Sequence, residues 1–235
     1  MKENILGIDV CGETYEQLTA HLLADIEEKR NAFIVAINPE KIMKAQQDES
    51  LRQLLNSATY QIPDGIGVII ASILKGGNIR QRVTGIDMML QLCKEAAIHQ
   101  KKIFLYGAKP GIVDEAKVKL EEMFPGIQIK GTLHGYEKDE KVIADTINAS
   151  EAEIIFVALG SPAQENWIIE HKEKLAPYVY QGVGGSFDVI SGRLNRAPAF
   201  FQKFGLEWFY RLLKEPWRWK RQLILPKFLM KVIKG

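Results

Sequence analysis

The sequence predicts an α/β protein with a Rossmann-like parallel-sheet core, helices on both faces of the sheet and a C-terminal helical appendage. Short apolar, β-branched runs alternate along the chain with amphipathic segments. Alternation of this kind is typical of a parallel sheet that is covered on both faces. The charge balance also changes sign close to residue 195, which separates a predicted core (1–195) from a predicted appendage (196–235).

The predicted strands are apolar runs of about five residues that end near Gly, Pro or Asn, as buried parallel strands do. They cover residues 33–37, 102–106, 127–131, 154–159 and 179–183. The segments between them repeat their apolar residues at helical spacing, most clearly over residues 86–100, 112–123 and 140–149. This order of elements supports the doubly covered sheet.

Glycine-rich turns follow the predicted strands and are the first place to look for a ligand site. In open α/β sheets, ligands bind outside the carboxyl ends of the strands, where such turns expose backbone N–H groups. The turns lie at residues 38–40, 62–67, 106–108, 159–162 and 182–188. The sequence contains neither G-x-G-x-x-G nor G-x-x-x-x-G-K-[ST], and it lacks an Asp-x-Asp pair. We therefore expect a phosphate- or nucleotide-binding rim without a resident cofactor or metal.

Polar side chains on these turns and in the segments between them are the candidate functional residues. Asp64 follows a strand on a glycine-flanked turn and is the candidate general base, although Pro-Asp-Gly is also a common turn sequence. Asp188 could bind a ribose diol or act as a helix cap. Gln164 and Arg82 could contact a ligand or be ordinary surface residues. Tyr136 could stack on a base or be a half-buried tyrosine.

The C-terminal segment is basic and aromatic. Residues 193–235 contain eleven Lys or Arg and two Glu, a net charge of +9, whereas residues 1–192 have 20 basic and 27 acidic residues, a net charge of −7. Three of the four tryptophans also lie in this segment. Basic residues combined with Trp and Phe favour an anionic membrane surface over nucleic acid as the partner, because the segment is rich in aliphatic residues and poor in Ser, Thr and Asn. Terminal helices docked on the core are the alternative.

The cysteines and the distribution of apolar residues indicate the expected cellular location. Cys11 and Cys93 have no metal-ligand spacing and are expected to be free thiols in a reducing cytoplasm. The first thirty residues do not resemble a signal peptide, and no run approaches the ~20 apolar residues that span a bilayer. The expected location is the cytoplasm, peripheral on the inner face of the cell membrane.

Ten short motifs occur in order along the chain. They are N-P-E (38–40), I-P-D-G-I-G (62–67), R-V-T-G-I-D (82–87), F-L-Y-G-A (104–108), H-G-Y (134–136), V-A-L-G-S-P-A-Q-E (157–165), G-V-G-G-S-F-D (182–188), R-A-P (196–198), L-E-W-F-Y-R (206–211) and E-P-W-R (215–218). Together they resemble the WecG/TagA/CpsF glycosyltransferases (glycosyltransferase family 26) over essentially the whole chain. The L-E-W-F-Y-R segment and the complete tail look most like the TagA branch, whose members transfer N-acetylmannosamine.

The resemblance implies an inverting, metal-independent transferase. It would move N-acetylmannosamine from a UDP-sugar donor to undecaprenyl-diphosphate-linked N-acetylglucosamine, making the linkage unit of wall teichoic acid. By this resemblance Asp64 is the general base. The implied donor-binding residues are Asn38, Arg82, Gly107, Tyr136, Gln164, Gly184, Gly185 and Asp188. The residues implied to reach the acceptor diphosphate or lipid headgroups are Arg211, Arg218 and Arg221.

One departure from the family pattern keeps alternatives open. Many members have Thr two residues before the Asn of the first motif, whereas this chain has Ala36. The donor could therefore be another UDP-hexose used for exopolysaccharide. A nucleotide-dependent enzyme of another class and a non-catalytic membrane-surface module are further alternatives. A homo-oligomer formed through the apolar tail off the membrane also stays open.

Overall fold

A computed structural model describes residues 2–203, 205–214 and 223–234. Within these ranges, six parallel strands form one sheet in the order β4-β3-β8-β7-β5-β6. An antiparallel pair, β1 and β2, stands beside it. The strands are β1 Lys2–Ile5, β2 Ile8–Cys11, β3 Ala32–Ile37, β4 Tyr60–Pro63, β5 Lys102–Gly107, β6 Gln128–Leu133, β7 Ile154–Ala158 and β8 Val179–Gly182.

Helices fill the connections between the strands. Those of the core are α1 Tyr15–Glu27, α2 Pro39–Ala45, α3 Glu49–Asn56, α4 Ile66–Leu74, α5 Gly85–Ile98, α6 Ile112–Met123, α7 Glu140–Ala149, α8 Ala163–His171 and α9 Ser186–Ile190. Those of the C-terminal segment are α10 Ala199–Lys203, α11 Glu207–Lys214 and α12 Ile224–Lys234.

Two apolar cores cover the two faces of the sheet. Side chains of successive strand residues point to opposite faces, so Phe33 and Val35 enter one core and Ile34 enters the other. The first core also contains buried residues of α2, α3, α4, α7, α8 and α12. The second core contains buried residues of α1, α5, α6 and α9. The predicted sheet with helices on both faces is confirmed.

The sequence-based elements agree with the structure at the buried strands and differ at the short ones. The strand β4 was not among the predicted strands, nor was the β1–β2 pair. Gln61 explains the first omission, because its buried polar side chain interrupts the apolar run. Its Nε2 donates to the carbonyl oxygens of Leu55, Asn56 and Ala58 at 3.1, 3.2 and 2.8 Å, which satisfies the NH2 group, whereas Oε1 is buried with no partner among the described residues.

The helix α12 packs against α2 and α4 on the first face of the sheet. Phe228 is fully buried there and Val232 is 3% exposed. Gly67 allows a close approach, because a Cβ at that position would lie 2.6 Å from Leu225 Cδ1 and 2.6 Å from Pro39 Cγ. For this part of the appendage, the alternative of a helix docked on the core is what the structure shows.

Candidate functional site

A cavity of about 600 Å³ opens at the carboxyl ends of β3, β4 and β8. Its position follows from the topology. The chain leaves β3 toward α2 on the first face, whereas it leaves the neighbouring strand β8 toward α9 on the second face. Diverging connections open a crevice between adjacent strands, which is where open α/β sheets bind ligands.

Asp64 lies on the wall of this cavity directly after β4. Its backbone N–H donates to the carbonyl oxygen of Ile37 at 2.7 Å, and Gly65 turns the chain into α4 at φ 108°. Burial raises the pKa of the Asp64 carboxyl above its ordinary value, although the Arg82 charge acts to lower it and Glu207 acts to raise it further. A carboxylate with a raised pKa in a cleft is suited to accept a proton near neutral pH.

Arg82 also lines the cavity, and its partner comes from the appendage. Its Nη2 donates to Glu207 Oε2 at 2.9 Å and to the carbonyl oxygen of Gln202 at 3.3 Å. The same Glu207 carboxylate accepts from Arg196 Nε at 3.3 Å. The start of α11 is thereby tied to the rim of the core, next to Asp64.

Arg196 is held from its other side by Asp87. Its Nη1 and Nη2 each donate to one Asp87 oxygen at 2.7 Å, a bidentate pair that fixes the plane of the guanidinium. Burial acts to raise the pKa of Asp87, but the hydrogen bonds from Arg196 and Thr84 bring it below its ordinary value. The helix cap of α5 is Thr84, whose Oγ1 accepts from the Asp87 N–H at 3.2 Å. Thr84 therefore caps the helix, and the Asp87 carboxylate binds Arg196.

The opposite wall is built around a buried ion pair. Lys41 Nζ donates to Glu165 Oε1 at 2.7 Å, and the side chains are 14% and 0% exposed. Gln164 Nε2 donates to the same oxygen at 3.2 Å, while Gln164 Oε1 accepts from the Gly184 N–H at 2.9 Å. Lys41 and Gln164 both line the cavity, so Glu165 orients two groups that face it.

Asn38, Gly184 and Gly185 complete the predicted residues that the cavity brings together with Asp64, Arg82 and Gln164. Asn38 is the cap of α2, and its Oδ1 accepts from the Lys41 N–H at 2.9 Å. The N–H of Gly184 is occupied by Gln164, so in this arrangement it does not point freely at the cavity.

Three predicted donor-binding residues do not line the cavity. Gly107 ends β5 and packs against the Ala158 backbone, since a Cβ there would lie 2.5 Å from the Ala158 carbonyl carbon. Tyr136 follows β6 and is 60% exposed. Both lie beyond β8 and β7 in the strand order. Asp188 is a partly buried residue of α9, and Val189 beside it lines the cavity instead. Their contact with the donor stays a prediction.

The three arginines predicted to contact the acceptor are Arg211, Arg218 and Arg221. Arg218 and Arg221 lie outside the described residues, and Arg211 is described only as a backbone position within α11. Six described residues of the appendage do line the cavity: Arg196, Gly205, Glu207, Trp208, Ile224 and Leu225. The appendage is thus part of the cavity wall.

Sequence reasoning gave no role to Lys41, Glu165, Arg196 or Glu207. Glu165, Arg196 and Glu207 stand inside three of the quoted motifs, and a charged residue beside apolar ones is the signal that could have drawn attention to them. Lys41 follows the Asn38 cap by three residues, within the first turn of α2. The sequence around Lys41 does not indicate that its partner is Glu165, 124 positions away.

The described residues offer neither a metal cluster nor a membrane span. They contain no group of three or more His, Cys, Asp or Glu placed to hold a metal ion. Among their helices, none is both long and apolar enough to cross a membrane. Cys11 and Cys93 are free and buried, and burial raises the pKa of the Cys11 thiol to about 12.

Comparison with known proteins gives one consistent result. The sequence model of the glycosyl transferase WecG/TagA/CpsF family matches residues 3–235. A Bacillus spizizenii protein described as N-acetylglucosaminyldiphosphoundecaprenol N-acetyl-β-D-mannosaminyltransferase is 42% identical over 209 residues, which span 89% of this chain and 81% of that protein. A Bacillus subtilis protein with the same description is 39% identical over 89% of this chain and 82% of its own length. A Staphylococcus aureus protein, again so described, is 34% identical over 100% of this chain and 93% of its own.

Proposed function

Because the chain belongs to the WecG/TagA/CpsF family of glycosyl transferases, we propose that it transfers N-acetylmannosamine from UDP-N-acetylmannosamine to undecaprenyl-diphosphate-linked N-acetylglucosamine. The product would be the linkage unit of wall teichoic acid. The similar Bacillus and Staphylococcus proteins carry the name of this reaction. The structural observation that carries the proposal is Asp64, a carboxylate of raised pKa on the wall of a cavity that also contains Arg82 and Gln164.

Asp64 is the general base in this proposal. It removes the proton from the acceptor hydroxyl as that oxygen attacks the anomeric carbon of the donor sugar, and the bond from this carbon to the diphosphate breaks. Attack from the face opposite the leaving group inverts the anomeric centre. The raised pKa supports this role, because a base works best when its pKa lies near the working pH.

The departing diphosphate is stabilised by cationic and N–H groups. Arg82 contributes a guanidinium, and the first turn of α4 directs backbone N–H groups to the end of the sheet where the cavity opens. Asn38, Gln164 and Gly185 contribute polar contacts to the donor. We include metal independence in the proposal, and unchanged turnover in excess EDTA is its test.

A membrane-facing surface accompanies this chemistry. The side of α12 that faces away from the core exposes Met230 (55%) and Ile233 (69%) together with Lys227, Lys231 and Lys234. The C-terminal end of α4, which packs beside α12, exposes Ile73 and Leu74. Basic residues near an anionic surface contribute about 1 kcal/mol each, so these residues support reversible peripheral binding on the cytoplasmic face of the membrane. Self-association of the same face is the alternative.

Ala36 supports a second donor. Its methyl group lines the cavity at the end of β3, where many family members carry a threonine hydroxyl. A donor that needs no hydrogen bond at this position would be another UDP-hexose. The variant Ala36→Thr, assayed with a panel of UDP-sugars on one lipid acceptor, distinguishes the two donors. A gain in N-acetylmannosamine transfer together with a loss for the preferred hexose would favour the second donor.

The decisive experiment compares wild type with Asp64→Asn in transfer from UDP-N-acetylmannosamine to a short-chain lipid-diphosphate N-acetylglucosamine. Asp145→Asn is the matched control, because Asp145 is exposed on α7, away from the cavity. We expect activity in wild type and the control and none in Asp64→Asn. Full activity in Asp64→Asn would remove Asp64 as the base. Vesicle binding without turnover on any UDP-sugar would instead indicate a non-catalytic module.

A further inference from the structure

Glu207 holds its carboxylate between two arginines inside the cavity. Oε2 accepts from Arg82 at 2.9 Å and Oε1 accepts from Arg196 at 3.3 Å, and all three side chains line the cavity and are at least four-fifths buried. Two guanidiniums that converge on one pair of oxygens form the arrangement by which proteins bind phosphate groups. In this structure the anion they bind belongs to the protein itself.

Arg196 is fixed independently of Glu207. The bidentate pair with Asp87 occupies its Nη1 and Nη2, which leaves Nε as the donor that turns toward Glu207. If Glu207 left, Arg196 would keep its orientation and its Nε would still face the cavity. Arg82 keeps one further acceptor, the carbonyl oxygen of Gln202, which its Nη2 reaches at 3.3 Å. Arg196 is therefore preorganised without Glu207, and Arg82 stays tied to the protein by one hydrogen bond.

The charges along the cavity explain why such an exchange is needed. Among the described lining residues, three are basic (Lys41, Arg82 and Arg196) and three are acidic (Glu40, Asp64 and Glu207). Just behind this lining, Glu165 pairs with Lys41 and Asp87 pairs with Arg196, so the described cations of the wall are already engaged. A diphosphate therefore finds uncompensated N–H donors here only after Glu207 has released Arg82 and the Nε of Arg196.

The residue after Glu207 brings a second polar group to the cavity wall. Trp208 lines the cavity, and its indole Nε1 is buried with no hydrogen-bond partner among the described residues. A buried N–H without an acceptor is unfavourable, so a shift of α11 or the arrival of a ligand oxygen would improve it. The helix begins just after Gly205, whose φ of 68° marks a sharp turn in the chain.

We infer that Arg82 and Arg196 form a diphosphate-binding site that Glu207 fills in the ligand-free protein and vacates when a diphosphate binds. The ligand class rests on the proposed function, in which both the nucleotide donor and the lipid-linked acceptor carry a diphosphate. The exchange couples occupancy of the cavity to the position of α11, and so to the appendage.

The test measures binding of inorganic pyrophosphate by titration calorimetry to wild type, Glu207→Gln and Glu115→Gln. Glu115 pairs with Arg193 on the surface, so its replacement removes the same formal charge and an arginine partner away from the cavity. We expect Glu207→Gln to lower the Kd for pyrophosphate at least about fivefold, because the ligand no longer competes with a carboxylate. We expect Glu115→Gln to leave the Kd unchanged. An unchanged or higher Kd in folded Glu207→Gln would overturn the inference.

A measurement on wild type keeps the inference testable if Glu207→Gln does not fold. Hydrogen exchange of the α11 amides should become faster in saturating pyrophosphate, since the helix loses its tie to Arg82 and Arg196. Unchanged or slower exchange would overturn the inference. Glu207→Asp, which keeps the charge but shortens the side chain, should give a smaller decrease in Kd than Glu207→Gln.

The source of the diphosphate is resolved by repeating the titrations with UDP and with geranyl diphosphate. Tighter binding of UDP alone in Glu207→Gln assigns the site to the donor, and tighter binding of geranyl diphosphate alone assigns it to the acceptor. If wild type fails to bind UDP while pyrophosphate behaves as expected, the nucleotide part of the proposed function fails and the two-arginine site stands. If pyrophosphate fails in both measurements, the site fails whatever UDP does.

Discussion

Replacing Phe228 with alanine should remove the main anchor of α12 and lower the free energy of unfolding by about 3–5 kcal/mol, the usual range for a fully buried phenylalanine. Phe228 has no exposed surface and packs in the core shared with α2 and α4. Met230, two residues later on the same helix, is 55% exposed. Met230→Ala should therefore change the free energy of unfolding by no more than about 0.5 kcal/mol.

Urea denaturation followed by far-ultraviolet circular dichroism measures the two free energies. Hydrogen exchange of the α12 amides shows whether the loss is local or global, because a helix that undocks alone exchanges faster while the core stays protected. Since Leu225 lines the cavity, Phe228→Ala should also weaken transfer to the lipid acceptor in proportion to the undocked fraction.

Equal values for Phe228→Ala and Met230→Ala, within about 0.5 kcal/mol, would refute the reasoning. Such a result would mean that α12 does not pack on the core in solution. The cavity would then lack the wall that α12 provides, and the proposed link between the appendage and the active site would lose its structural basis.

Three further predictions concern the cavity. Asp64→Asn should abolish transfer, yet it should unfold at an equal or higher urea concentration at neutral pH. Burial raises the pKa of Asp64 in the folded protein, so ionisation of this carboxyl lowers stability as the pH rises from its unfolded to its folded pKa. A clear loss of stability would contradict this prediction. Arg82→Gln should shift the acidic limb of the kcat/KM profile to higher pH. Burial raises the pKa of Asp64, and without the opposing effect of the Arg82 charge this pKa would rise further. An unchanged acidic limb would mean that Arg82 does not affect the ionisation of Asp64. Gly67→Ala should lower the free energy of unfolding by about 1–3 kcal/mol, because the new methyl group would overlap Leu225 and Pro39, and thermal denaturation would measure it.

The parallel sheet could be predicted from the sequence because its strands are buried on both faces. A short continuous apolar run such as that of β7, Ile154–Ala158, is typical of a strand in the interior of a parallel sheet. The short strand β4 carries the buried Gln61, and the cost of burying its NH2 group is offset by three carbonyl acceptors contributed by the preceding segment. Those acceptors come from tertiary structure, so the apolar pattern alone could not reveal the strand.

The candidate site was predictable only in part, and the reason is the order of the strands. The rule that ligands bind at strand ends identified Asp64 and Asn38 correctly as cavity residues, and it identified Gly107 by the same argument, while Tyr136 was selected as a base-stacking candidate. The sequence does not tell that β5 and β6 lie at the far edge of the sheet, because strand order depends on non-local pairing. The same limit hid the ion pair between Lys41 and Glu165.

That ion pair constrains how the cavity wall can change by mutation. Replacing Lys41 alone leaves the Glu165 carboxylate buried without a counter-charge, and replacing Glu165 alone does the same to the Lys41 ammonium. Either single replacement should lower the free energy of unfolding by about 3–5 kcal/mol. Replacement of both by apolar residues of similar volume can be nearly neutral. The two positions are therefore strongly epistatic: each single variant is destabilised, although the double variant need not be. Randomising either position alone should return almost only the parental residue, even in a screen that selects for folding and ignores catalysis.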